Sequence, residues 1–188
     1  MRKRSANSAA SLLPLDLWMR GRDLEGHLPA RLADWLNEPG LLTDRIHARS
    51  GAPVAVRVVE EHLAFLSHEQ KALLEASADN CFARRIELVS AGRPWVYAET
   101  LIPDHTLELH PWLAELGDSS LGATLAECRD VSRGPFEFAP LPASHPLAAQ
   151  ALARLNESAE VIWARRSWFA LHGRRLLVQE LFLPEVSR

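Results

Sequence analysis

The chain predicts an α+β fold: a single domain with a six-stranded antiparallel sheet and covering helices. Three observations point there. Six stretches carry strand-like alternation or β-branched and aromatic clusters. Four of them pair off as two hairpins, turning through Ser90–Pro94 and at His172–Gly173. Helical patterns fill the connections. Hairpins demand antiparallel neighbours, and an apolar sheet face must be buried by helices.

The elements follow in order. Leu28, Leu32, Trp35 and Leu36 fall on one face of a helix over 28–37, which Pro39–Gly40 stops. A short helix over 42–49 precedes the break at Gly51–Pro53, and residues 54–60 alternate as a strand. A helix over 69–77 leads to the first hairpin, strands 81–89 and 95–103. Helical segments over 107–116 and 121–128 are separated by Gly117. Residues 135–139 alternate like a strand. Leu147, Ala151, Leu152 and Leu155 share a face of a helix over 146–155. The chain closes with the hairpin 161–171 and 174–183, ended by Pro184.

At 188 residues the length suits one domain, expected over 25–188 behind a flexible tail, 1–24. The tail begins with a basic Met1–Arg4 but lacks the apolar run of a signal peptide. With 47% hydrophobic and 24% charged residues the chain is not a disordered one. A net charge of −3 argues against a nucleic-acid-binding module. No apolar run approaches the ~20 residues that span a bilayer. Cys81 and Cys128 match no zinc pattern and are read as reduced core thiols of a cytoplasmic protein, expected to be a monomer.

Two charges stand where the pattern asks for apolar residues. Arg84 shares a strand face with Phe82, Ile86 and Leu88, and Glu180 with Leu176, Val178 and Phe182. A buried charge costs several kcal/mol (order of magnitude) unless it is paired. The pattern leaves two readings open. The charges form a structural ion pair or reach water at an edge, or they line a pocket. In a pocket Arg84 offers a planar fork to a carboxylate, and Glu180 meets a hydroxyl or moves a proton. The hairpin turns set the registers: Arg165 opposite Glu180, Trp163 opposite Phe182, and Arg85 opposite Glu99 on the other face as an exposed pair. Trp163, Phe169, Leu176, Val178 and Phe182 are expected to wall the pocket.

The stretches Cys81–Leu88, Gly92–Val96, Thr100–Pro103 and Thr106–Leu107 resemble the chorismate pyruvate-lyase family. So do Trp163–Ser167, Gly173, Leu176–Val178 and Glu180–Pro184. Trp35–Leu36, Leu42–Thr43 with Arg45, and Leu116–Gly117 with Leu121–Gly122 extend the likeness over residues 28–184. The resemblance implies a six-stranded antiparallel sheet and an enzyme that eliminates pyruvate from chorismate. The product is 4-hydroxybenzoate, the first committed step towards ubiquinone, and no metal or cofactor takes part. It implies that Arg84 binds the ring carboxylate and that Glu180 faces the 4-hydroxyl as acid, base or positioning group. Backbone groups of Leu42 and Leu121 would complete the carboxylate pocket. Arg85, Glu99 and Ser120 depart from the family pattern; Arg85 and Glu99 read as one compensated charge swap.

The main rival is a non-catalytic module of the same fold that senses a small aromatic or carboxylate ligand. Such sensors normally follow a DNA-binding domain, for which the residues before Leu28 are too few. His62, His68, His105 and His110 form no zinc motif, and a Gly-x-Ser-x-Gly elbow is lacking.

Overall fold

The computed structural model describes residues 18–20, 29–155 and 158–188. Most of the expected 1–24 tail, and Leu28 of the first expected helix, lie outside them. Trp18–Arg20 are described, and Met19–Arg20 (β1) pair with Phe138 and Glu137. In chain order there follow α1 (Ala30–Leu36), α2 (Leu42–Ser50), β2 (Val54–Phe65), α3 (His68–Leu74), β3 (Asn80–Ser90) and β4 (Arg93–Pro103). Then come α4 (Asp104–Leu109), a 3-10 turn (Pro111–Ala114), α5 (Leu121–Glu127), β5 (Val131–Arg133) and β6 (Glu137–Pro142). The chain finishes with α6 (Pro146–Leu152), β7 (Val161–Leu171), β8 (Arg174–Phe182) and a 3-10 turn (Pro184–Ser187). No helix among the described residues is long and apolar enough to cross a membrane.

The α+β class and the antiparallel pairing match the expectation, and the strand count does not. The sheet has eight strands rather than six, in the order β1-β6-β7-β8-β4-β3-β2, with β5 also on β7. All six expected strands are present. The two unforeseen ones, β1 and β5, are two and three residues long, too short to show an alternation. β2 also runs five residues beyond its expected end, through Glu61 and His62 to Phe65. A register shift between Val58 and Glu60 lets this charged stretch stay in the ladder.

Both hairpins turn in two residues, Ala91–Gly92 and His172–Gly173, each pair at positive φ. That is the turn whose twist matches its strands. In the second hairpin the register follows directly, and Arg165 faces Glu180; in the first the turn alone would set Arg85 against Ala98, and a register shift between Leu88 and Val89 brings it opposite Glu99. Consecutive strands β5 and β6 lie end to end along one edge of β7. β5 pairs with Phe169–Leu171 and β6 with Val161–Arg166. Gly134, between them, passes directly under Trp168; a Cβ there would lie 2.2 Å from the indole ring.

One sheet face, with Ile86, Ala98 and Val178, is covered by α1, α2, α5 and the 3-10 turn at Pro111–Ala114. The other face is covered at one end by α3, around Leu74 and Leu101, and at the other by α6, around Leu147 and Ala151. Between those two apolar patches runs a transverse row of polar side chains, one from each of seven strands. In order it reads Arg20, Glu137, Arg166, Gln179, Glu99, Arg85 and Glu60. Arg166 Nε donates to Glu137 (2.8 Å), Gln179 Nε2 to Glu99 (2.9 Å), and Arg85 to Glu99 (2.8 Å) and Glu60 (2.7 Å).

Arg85 and Glu99 therefore do meet across the strands, but not as the exposed pair expected: Glu99 is buried at 7% exposure. The helices that bury it are distant in sequence. Removing one partner from such a row leaves its neighbours desolvated and unpaired. Glu99→Ala should cost about 2–3 kcal/mol, read as a lower urea midpoint at unchanged slope. Reversing Arg85 and Glu99 together should also lower the midpoint, because the new carboxylate on β3 then faces Glu60. An unchanged midpoint would mean that the two-residue pair, not the row, carries the interaction.

Candidate active site

A cavity of about 460 Å³ opens between the helix-covered sheet face and the segments Pro39–Thr43 and Ser120–Ala126. That volume suits a small organic molecule. Its floor includes Arg84, Ile86, Ala98, Thr100, Val178 and Glu180, and its roof Leu42, Leu121 and Leu125. Arg84, Glu180, Leu42 and Leu121, far apart in the chain, thus line one cavity.

Arg84 is 1% exposed, and burial lowers its pKa, which the Glu61 carboxylate partly restores. Its Nε donates to Glu61 (3.2 Å), and its Nη2 to the carbonyls of Gly117 (2.6 Å) and Ser119 (3.3 Å). Its Nη1 has no partner among the described residues. The guanidinium is held on two sides and keeps donor capacity for a ligand.

Glu180 is two residues along from the strand row that Arg84 shares with Thr100 and Val178. Its Oε2 accepts from Arg165 Nε at 2.6 Å; its Oε1 has no hydrogen bond among the described residues. The two readings left open for this residue therefore combine: it is in an ion pair and it lines the cavity. Arg165 is 1% exposed, and its Nη1 donates to the carbonyls of Leu36 (3.2 Å) and Glu38 (2.6 Å). It lies over the rings of Phe136 and Phe182. It thus satisfies a carbonyl at the end of α1 and aims Glu180.

The roof supplies backbone donors. Leu42 and Thr43 open α2, and Leu121 and Gly122 open α5, so their amides have no partner inside the helices. Glu38 braces the approach to α2. It accepts from Gly40 N (2.9 Å) and Arg45 (2.6 Å), and Arg45 holds its carboxyl below the usual range. Ser120 caps α5: its Oγ accepts from Ala123 N at 3.4 Å. Gly122 passes close to Leu41, where a Cβ would lie 3.2 Å from the leucine side chain.

Several expectations are corrected. Of the aromatic and aliphatic row expected to wall the pocket, only Phe169 and Val178 do so. Trp163, Leu176 and Phe182 pack into the apolar clusters instead. No tryptophan lines the cavity. Cys81 is a buried thiol, pushed up to about 11 by burial, but Cys128 is half-buried and lines the cavity rather than the core. Arg133 was missed: it lines the cavity from β5, whose three residues carry no readable period.

The pairing at Arg165 makes a stability prediction. Arg165→Met strands the Glu180 carboxylate and two main-chain carbonyls, and should cost about 3–5 kcal/mol. Glu180→Gln can retain one bond to Arg165 and should cost under about 2 kcal/mol. Equal losses in thermal or urea unfolding would contradict the assigned geometry.

A family model described as chorismate lyase matches residues 12–188. A probable chorismate pyruvate-lyase of Aromatoleum aromaticum is 35% identical over 178 residues, 91% of this chain and 94% of its own. One from Azoarcus sp. (strain BH72) is 36% identical over 163 residues, 83% of this chain and 85% of its own. Among solved structures, the effector domain of PhnF from Mycobacterium smegmatis superposes with a TM-score of 0.55 at 13% identity. It covers 78% of this chain and 90% of that one. The C-terminal domain of the histidine utilization repressor from Pseudomonas syringae gives 0.55 at 10% identity, covering 72% and 94%. At such identities these two structures share the fold alone.

Proposed function

The chain belongs to the chorismate lyase family, and we propose that it eliminates pyruvate from chorismate to leave 4-hydroxybenzoate, the ring precursor of ubiquinone. The observation that carries this reading is the pair Arg84 and Glu180 on one cavity floor, each with hydrogen-bonding capacity that no described residue uses: Nη1 of Arg84 and Oε1 of Glu180. The ring carboxylate of chorismate and its 4-hydroxyl project from opposite ends of a six-membered ring. They call for a cation and a hydrogen-bond acceptor in that arrangement.

Arg84 takes the ring carboxylate by charge-assisted hydrogen bonds, and the amides of Leu42 and Leu121 close over it from the roof. Glu180 accepts from the 4-hydroxyl. Elimination removes the proton at C4 and breaks the ether bond at C3. The electron pair of the C–H bond becomes the last double bond of the aromatic ring. The departing enolpyruvate takes up a proton at its methylene carbon and becomes pyruvate. The step is redox-neutral and driven by aromatisation, so what it asks of the protein is alignment of the side chain and exclusion of water. Glu180, beside C4, orients the hydroxyl and is placed to relay the proton.

Incubation with chorismate should release pyruvate and 4-hydroxybenzoate in equal amounts. Binding of an aromatic acid with no pyruvate released would favour the sensor reading. Arg84→Ala should lose about 2–5 kcal/mol of transition-state stabilisation, and Lys should rescue poorly because it lacks the fork. Near-normal turnover in Arg84→Ala would sink the assignment. Glu180→Gln should keep affinity for 4-hydroxybenzoate and slow turnover. A variant that is less stable but equally active per folded molecule would reduce Glu180 to a partner of Arg165.

A further inference from the structure

Among the described residues three arginines line the cavity, and two of them have a carboxylate partner: Arg84 with Glu61 and Arg165 with Glu180. Arg133 has none within salt-bridge distance among the described residues. Its Nε donates to Ser167 Oγ at 2.9 Å and its Nη1 reaches the Pro39 carbonyl at 3.5 Å. Its Nη2 has no partner among the described residues. The guanidinium stacks between the rings of Phe136 (4.0 Å) and Phe169 (4.9 Å). Burial pushes its pKa down to about 10, with Glu180 opposing the shift and Arg165 adding to it. It is therefore a partly buried cation lining the cavity with no carboxylate beside it among the described residues, and an anion entering the cavity would supply that partner.

Its place in the sheet says which anion. Ser167, which holds Arg133, lies in the same transverse row as Val178, Thr100 and Arg84. From β7 to β3 is three strand spacings, about 14 Å. Arg84 donates to Glu61 on β2 and Arg133 to Ser167 on β7, so the two guanidiniums are anchored towards opposite ends of the floor. Glu180 is on β8, next to β7, at the Arg133 end of the floor. On chorismate the enolpyruvyl ether at C3 is adjacent to the 4-hydroxyl at C4 and carries the second carboxylate.

We infer that Arg133 binds the enolpyruvyl carboxylate of the substrate, so that it recognises chorismate and the leaving pyruvate but not 4-hydroxybenzoate. This rests on the lyase reading above. Arg84 and Arg133 then divide the dianion between them, and only the Arg84 contact survives in the aromatic product. The aromatic sandwich and the Ser167 bond fix the fork before substrate arrives, which reduces the ordering cost of binding. Gly134 supports the placement: the chain can close against Trp168 there only because no side chain intervenes, and this sets Arg133 beside β7.

The test compares substrate and product on the whole chain. KM and kcat for chorismate come from pyruvate release, and Kd for 4-hydroxybenzoate from calorimetric titration, with circular dichroism to check folding. Arg133→Gln should raise KM for chorismate by about 10- to 100-fold, the range for one lost charge-assisted contact. Its Kd for 4-hydroxybenzoate should change less than about threefold. Arg133→Lys, which keeps the charge, should recover part of the loss. Arg84→Ala should weaken both ligands together. If Arg133→Gln weakens 4-hydroxybenzoate as much as chorismate, or leaves both unchanged, the assignment is overturned while the lyase reading stands. A wild-type protein that neither converts chorismate nor binds 4-hydroxybenzoate overturns both. Should Arg133→Gln fail to fold, Arg133→Lys carries the same comparison: a raised KM with unchanged product affinity supports the assignment, and parallel changes overturn it.

Discussion

Arg165 ties the sheet to its cover. From the middle of β7 its guanidinium reaches across to Glu180 on β8 and up to the carbonyls of Leu36 and Glu38. Those two carbonyls mark the end of α1 and the turn into α2. The bonds that satisfy a buried cation therefore also hold the first amides of α2 over the cavity floor. Without that strap, Glu180 would be a desolvated carboxylate with no partner, and the roof at Leu42 would have no fixed height above Arg84. A charge this deep is tolerated because its donors are matched by a carboxylate, two carbonyls and two aromatic faces.

The same economy of charge runs through both faces of the sheet. On the far face every acid and base of the row that crosses seven strands has an opposite charge beside it. On the cavity face Arg84 pairs with Glu61 and Arg165 with Glu180, while Arg133 has no carboxylate partner among the described residues. Arg84 and Arg133 keep N–H groups, and Glu180 keeps an oxygen, that no described residue uses. Unspent hydrogen-bonding capacity in a roofed cavity separates a binding site from a structural network, and its signs suit a dianion carrying one hydroxyl.

Arg84 and Glu180 were legible in the sequence because strands alternate with a period of two, so one charge in an apolar row is conspicuous. Centring the first hairpin on Gly92 gives Arg84 the register that the shift between Leu88 and Val89 produces, and the register of Glu180 was legible because the two-residue turn at His172–Gly173 leaves little freedom in pairing. Arg133 was not, since a three-residue strand presents no row to violate. Met19–Arg20 failed to register as a strand for the same reason. The Arg85–Glu99 pair was placed correctly in two dimensions and wrongly in the third: its burial comes from α3 and α6, whose packing no local pattern reveals. Choosing among the aromatics failed likewise. Phe169 and Trp163 share a strand face, and which of them meets the cavity depends on where α1, α2 and α5 settle. The roles of Leu42 and Leu121 rest on the family resemblance, since their contribution is main-chain and no side-chain pattern announces it.

A crystal structure with 4-hydroxybenzoate bound tests the central geometry most directly. The account predicts the ring carboxylate on Arg84, within hydrogen-bond distance of the Leu42 and Leu121 amides, and the hydroxyl on Glu180, with Arg133 left without a ligand contact. A product bound the other way round, with its carboxylate on Arg133 or Arg165, or seated outside this cavity, would contradict it.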